Sequence, residues 1–219
     1  MPRSVLPSVP LSARLTAVAA MTAVVVASNI LVQYPVEARI GRIDLADLLT
    51  WGAFSYPLAF LVTDLTNRRF GAAVARRIVI AGFAVAVMLS LEFATPRIAL
   101  ASGLAFLIGQ LLDVTLFDRL RRAAGWWKAP FVGSVVGSIT DTTVFFSLAF
   151  APVFGFIAAS DAFAVEPAPF LGSVAVDMPR WLSWAVADLS VKLLFAVALL
   201  VPYRLVMNLL WPMPTQQTA

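Results

Sequence analysis

Six charged side chains, Asp64, Glu92, Asp113, Asp141, Asp188 and Lys192, fall inside or at the edges of long apolar runs. A charge at the centre of a bilayer costs at least about 2.5–3.5 kcal/mol, so such residues face a protein interior and mark solute or ion pathways by default. Depth separates the six. At ~1.5 Å rise per residue, Asp64 lies ~6 Å from Arg68, Asp113 lies ~9 Å from Arg119, and Glu92 stands close to Arg97 at a run's outer end. On the same rise Asp141 is ~20 Å from Lys128, Asp188 is ~12 Å from Arg180, and Lys192 is one turn deeper than Asp188.

Spacing places several of these on shared faces with other polar groups. Ser134, Ser138 and Asp141 are spaced i, i+4, i+7 and line one stripe of a helix. Gln110 and Asp113 are i, i+3, Asn29 and Gln33 are i, i+4, and Asp188 and Lys192 are i, i+4 with the acid first, the favourable order for an ion pair. Bland roles compete with each pattern. Asp64 with Arg68 would serve as an interfacial pair, Asp188 with Lys192 as a bundle clamp, and Ser134 and Ser138 as interhelical glue. Gly133 and Gly137 form a GxxxG pair, which reads first as close helix packing. Asp141 resists the bland reading most, having no basic residue within a turn.

A carboxylate offers two acceptor oxygens, which match two parallel N–H donors. The N1–H and 2-amino edge of a guanine-like base presents such a pair, and Phe145 and Phe146 could stack on its ring. Residue chemistry alone therefore reaches a carrier of a small, polar, donor-bearing solute.

The elements that must position these groups follow from composition. The chain has 219 residues, 61% hydrophobic and 13% charged, with a mean hydropathy of +0.89. Soluble domains carry about 25% charged residues, so disordered chains, basic nucleic-acid binders and ordinary cytosolic enzymes are excluded. Six apolar runs, 11–32, 48–65, 78–94, 98–117, 130–150 and 181–201, each approach the length a bilayer core demands. An all-α, six-span polytopic membrane protein in a single domain is expected over 1–219. The first run is too long for a secretory leader, and no A-x-A site follows it. Segment 153–179 reads as an outer loop packed on the bundle. Eleven Lys and Arg fall on one side of this frame, among them Arg3, Arg14, the 68–77 group and the 119–128 group. Four, Arg39, Arg42, Arg97 and Arg180, fall on the other. The positive-inside rule then places both termini in the cytoplasm. Trp51, Trp126, Trp127, Trp181 and Trp211 stand near run ends as interfacial anchors.

The chain has no cysteine and no histidine, which removes disulfides, thiolate chemistry, HExxH zinc sites and Ser-His or Cys-His dyads. An intramembrane aspartyl protease would show Tyr-Asp and Gly-x-Gly-Asp signatures. The span aspartates instead follow Thr63, Leu112, Thr140 and Ala187. No enzyme activity, cofactor or metal is expected. No GxxxxGK[ST] phosphate loop is present, so any ATP coupling would come from a separate ATPase subunit. A second copy of the chain is the other protein partner such a fold admits, and nucleic acid is not expected.

Several blocks also carry a family resemblance: TDLTNRRFG (63–71) preceded by TWGAFSYPLAFLV, GQLLDVTLFDRLRR (109–122), WWKAPFVGSVVGSITDTTVFF (126–146) and DLSVKLLFAVALLVPYRLV (188–206). In this order the chain resembles the queuosine precursor transporters, vitamin-uptake-like six-helix proteins of the bacterial inner membrane. Some members carry Glu where this chain has Arg68, so no Glu role is transferred. The resemblance implies uptake of 7-cyano- and 7-aminomethyl-7-deazaguanine for tRNA queuosine salvage. It also implies a fold similar to the substrate-binding S-components of energy-coupling-factor transporters. Asp141 and Asp188 are then the expected primary substrate contacts, supported by Gln110, Asp113, Asn29 and Ser138, with Lys192 bonding the solute or holding Asp188. The competing expectation is a proton- or cation-coupled carrier of another nucleobase-like or vitamin-like solute, with the aspartates as coupling sites.

Overall fold

The computed structural model describes residues 10–122, 125–159 and 161–210; Arg3 and Trp211 lie outside these. Its helices are α1 (Leu11–Leu31), α2 (Gly52–Ser55), α3 (Leu58–Phe70), α4 (Ala72–Phe93), α5 (Pro96–Leu120), α6 (Lys128–Phe150), α7 (Ala162–Val165), α8 (Arg180–Ala198) and α9 (Leu200–Leu210). Among the described residues, five helical stretches are long and apolar enough to cross a membrane: α1, α4, α5, α6, and α8 continued through α9 to Leu209. Their outer faces are apolar. Leu15, Ile80, Met88, Leu91, Leu194 and Val197 are all exposed, as lipid contact requires. The protein is a mostly helical, multi-pass membrane protein.

The run expected as a second span, 48–65, is not one helix. Pro57 has no N–H to donate to the Ala53 carbonyl, and the chain breaks there into α2 and α3. Such a break is tolerated at membrane depth where it is buried in protein or lines a cavity, and this one does both. A second proline shapes the last crossing. Pro202 cannot bond the Ala198 carbonyl, where α8 ends.

Helices α5 and α6 form the most intimate pair in the bundle, with α4 beside α5 and α8 beside α6. Glycines permit it. A Cβ on Gly109 would stand 3.1 Å from the Gly137 carbonyl, and one on Gly137 would stand 2.7 Å from the Phe60 ring. Gly133 leaves room for the Asp113 carboxylate, so the GxxxG pair is a packing device. At the other end of α5, Thr95 caps the helix and Pro96 occupies its first turn.

The loops opposite the arginine-rich ones contain two antiparallel hairpins: β1 (Arg39–Ile40) with β2 (Ile43–Asp44), and β3 (Pro167–Phe170) with β4 (Val174–Pro179). Among the described residues, these local strands and the Pro35–Thr50 bridge depart from an all-α reading. The Arg39 guanidinium and the Ala46 N–H donate to Asp44 and hold its carboxyl below the usual range. The 153–179 segment packs on the bundle as expected, through α7, β3 and β4 against α8. Arg97, which the sequence places in a loop, is only 4% exposed. It donates to the carbonyls of Leu148 at 2.8 Å, Ala151 at 2.7 Å and Ala158 at 3.0 Å. It thereby closes the C-terminal end of α6, where a cation is favoured.

Candidate functional site

The break at Pro57 leaves Tyr56 inside the bundle, facing α6 and α8. Its hydroxyl donates to Asp141 Oδ1 at 2.9 Å. The other Asp141 oxygen takes Lys192 Nζ at 2.7 Å. Nζ also pairs with Asp188 Oδ2 at 2.5 Å, one turn back on α8, and donates to Thr142 Oγ1 at 3.1 Å. The Thr142 hydroxyl donates a hydrogen bond to Asp188 Oδ2 at 2.8 Å, and the Tyr56 ring lies 5.2 Å from Nζ. Three elements therefore converge on one ammonium, which bridges two carboxylates. Removing any member of such a network leaves a buried polar group without its partner.

Two carboxylates and one ammonium leave one negative charge. It is distributed unevenly: both Asp141 oxygens are engaged and its side chain is 5% exposed, while the Asp188 side chain is 15% exposed. Asp188 is therefore the acceptor open to an incoming donor.

These groups line a cavity of about 540 Å³, within the range of small-molecule sites. Its walls are aromatic: Tyr56, Phe106, Phe145, Phe146, Phe150 and Trp184. Asn29 also lines it, donating to the Val25 carbonyl at 2.9 Å and accepting from Ser90 at 3.2 Å. Nearby, Ser28 and Ser55 share a hydrogen bond at 3.0 Å. The mouth is framed by the 46–50 loop and by Arg180 and Trp184 of α8, whose indole N–H holds the Asp47 carbonyl at 2.8 Å. Arg180 stands there between Glu166 and the Phe163 ring. That end of the bundle is opposite the arginine-rich loops.

Asp141, Asp188, Lys192 and Asn29 are thus brought together around one cavity. Gln110, Asp113 and Ser138 are not among its lining residues. Gln110 accepts from Thr63 at 2.5 Å in the α3–α5 seam, Asp113 is fully buried beside Asp64, and Ser138 is 1% exposed, one turn before Asp141. Tyr56 and Thr142 were not singled out from sequence. The SYP motif, with a tyrosine just before a helix-breaking proline, was the available signal for the first; Thr142 had none beyond following Asp141.

A family model described as "Putative vitamin uptake transporter" matches residues 50–95 and 92–206. The chain is 35% identical over 208 residues to the "Queuosine precursor transporter" of Escherichia coli (strain K12), covering 85% of this chain and 83% of that one. It is 33% identical over 214 residues to the "Probable queuosine precursor transporter" of Haemophilus influenzae, with the same coverage. A third relative of that name, from Bacillus subtilis, is 28% identical over 134 residues, covering 48% of this chain and 58% of that one. No solved structure matches.

Proposed function

From the premise that the chain belongs to the vitamin uptake transporter family and is a queuosine-precursor-type transporter rather than an enzyme, we propose that it takes up 7-deazaguanine precursors of queuosine across the bacterial inner membrane. The solutes are the 7-cyano and 7-aminomethyl forms, which supply tRNA queuosine salvage. The names of its relatives support the class of solute. The observation that carries the reading for this chain is the Asp141–Lys192–Asp188 network at the base of an aromatic cavity.

The chemistry is complementary. A deazaguanine ring is flat and buries between aromatic walls, and its N1–H and 2-amino donors face a carboxylate. Asp188, the more open acid, takes those donors. Lys192 is held by Asp141 and orients Asp188, and its remaining proton is available to the O6 acceptor. Asn29 serves the opposite edge of the ring with donor and acceptor together. A site with one excess negative charge also suits the aminomethyl cation. Gln110, Asp113 and Ser138, away from the cavity, are left out of the contact set.

For the fold, the α2–α3 pair acts as a sixth, discontinuous crossing, an arrangement that places solute sites at helix breaks in other carriers. The whole chain acts as one domain. With six crossings the arginine bias sets both termini in the cytoplasm, and the cavity opens outward. An S-component-like arrangement accords with six helices around an outward-facing pocket.

Equilibrium binding of each precursor to the purified full-length chain tests the reading. Wild type binds, guanine, which presents the same N1–H, 2-amino and O6 edge, competes, and Asp188→Asn loses about 10–150-fold in affinity, the equivalent of a charge-assisted hydrogen bond worth about 1.5–3 kcal/mol. Unchanged affinity in a folded Asp188→Asn protein, or no binding by wild type, refutes it.

A further inference from the structure

A second polar cluster lies in the seam between α3 and α5, on the arginine-rich side of the cavity. Asp64 and Asp113 are 2% and 0% exposed, and they are close enough for each carboxyl to act on the other's charge. Two ionised carboxylates buried side by side repel each other, and a proton shared between them relieves that repulsion. Among the described residues, no N–H group or hydroxyl reaches Asp64 Oδ1 or either oxygen of Asp113. Two fully buried amides on the same seam also hold an unsatisfied atom each: Asn67 Oδ1, one turn along α3, and Gln110 Nε2, one turn back on α5. Their other ends are fixed, by donation to the Val114 carbonyl at 2.9 Å and by Thr63 at 2.5 Å. Unsatisfied buried polar atoms are rare and call for a reason. Four residues in one seam supply five of them.

The surroundings show where charge can go. On α3, Arg68 stands one turn from Asp64 and donates to the Arg121 carbonyl at 3.3 Å. Arg121 pairs with Asp118 at 2.8 Å and donates to the Asn67 carbonyl at 3.1 Å. From α9, Tyr203 is buried beside Asp64. From α6 the facing residue is Gly133, and Arg76 and Arg77 of α4 are exposed. The pair is thus buried away from the lipid and outside the lining of the cavity, and among the described residues the guanidinium groups named here stand on its arginine-rich side.

We propose that Asp64 and Asp113 form the proton site of a proton-coupled carrier. One proton is held between the two carboxyls: a carboxyl O–H bond forms as an O–H bond of a hydronium ion from the outer side breaks, and it breaks in turn to a water on the cytoplasmic side. The two negative charges left by release are met from the Arg68 and Arg121 side. This rests on the protein being a carrier, not on which solute it carries.

The test uses the full-length chain in proteoliposomes with labelled 7-cyano-7-deazaguanine, a neutral solute, under an inward gradient of one pH unit. One proton per solute sustains about a tenfold accumulation, since one pH unit is a tenfold ratio. Wild type accumulates toward that limit. Asp64→Asn binds the solute with unchanged affinity in detergent yet only equilibrates it, and Asp64→Glu restores the response to the gradient. Accumulation indifferent to the proton gradient, driven instead by sodium, or preserved in Asp64→Asn, overturns the proposal. Infrared spectra of the solute-free protein at neutral pH give a readout independent of the solute. The C=O band of a protonated carboxyl is present in wild type, shifts in frequency in Asp64→Asn and in Asp113→Asn, where the remaining buried carboxyl keeps the proton, and is lost in the double variant. Its absence from wild type, or its persistence unshifted in the double variant, also overturns the proposal, whereas failure to bind the deazaguanine refutes only the choice of solute.

Discussion

Lys192→Met isolates the electrostatics of the cavity floor, because methionine keeps most of the side-chain volume and removes the ammonium. Nζ sits 2.7 Å from Asp141 and 2.5 Å from Asp188. With charge centres ~4 Å apart and an effective dielectric of about 20, each attraction is worth about 4 kcal/mol. Their loss leaves two carboxylates facing each other in a buried site, and protonation of one relieves part of the strain. The net expectation is the cost of breaking a buried pair, about 3–5 kcal/mol, or roughly two to four orders of magnitude in the folded-to-unfolded ratio. Thermal melting and denaturant titration of the purified protein in lipid measure it. The decisive comparison is Lys192→Met with Asp141→Asn added. That double variant returns the site to one net negative charge, and an asparagine oxygen still accepts from Tyr56. It therefore regains at least half of the lost stability, although each single change is destabilising. If Lys192→Met melts with wild type, or if the second substitution adds its own loss instead of restoring stability, the three groups do not form one charge network.

Other outcomes follow from the same geometry. Phe146→Ala removes an aromatic wall and weakens precursor binding by about 5–150-fold, equivalent to stacking worth ~1–3 kcal/mol; because Phe146 also packs in the core against Phe145 and Phe150, it lowers the melting temperature as well. Thr142→Val leaves Asp188 without its hydroxyl donor and Lys192 without one acceptor; it lowers affinity measurably and costs about 1–3 kcal/mol of stability. Arg97→Ala strips the donors from three carbonyls at the end of α6 and destabilises by at least about 3 kcal/mol in denaturant titration, while Arg97→Lys recovers part. Gly137→Val forces a side chain into the Phe60 ring and the Gly109 carbonyl and costs about 1–3 kcal/mol in the same measurement.

The charges within the apolar runs identified the cavity floor because lipid leaves few reasons to keep them. Asp188 and Lys192 were readable as a pair since both lie on one helix at i, i+4, and Asp141 stood out for want of a local partner. That its partner is the same lysine, 51 residues away, is a tertiary fact that no local pattern contains. The Gln110–Asp113 stripe shows the converse. An i, i+3 face looks the same whether it meets a cavity or another helix, and here it meets α3. The break inside the second run was hidden for a similar reason: hydropathy over 48–65 sums across Pro57, although the backbone cannot. The break so created is what brings Tyr56 to Asp141.

The most direct test of uptake through this site is the queuosine content of tRNA in cells that cannot make the precursor, fed 7-cyano- or 7-aminomethyl-7-deazaguanine at limiting concentration. Cells expressing the wild-type chain restore queuosine, whereas cells without it, or with Asp188→Asn at equal membrane abundance, do not. Equal queuosine with Asp188→Asn, or restoration without the chain, would contradict the account.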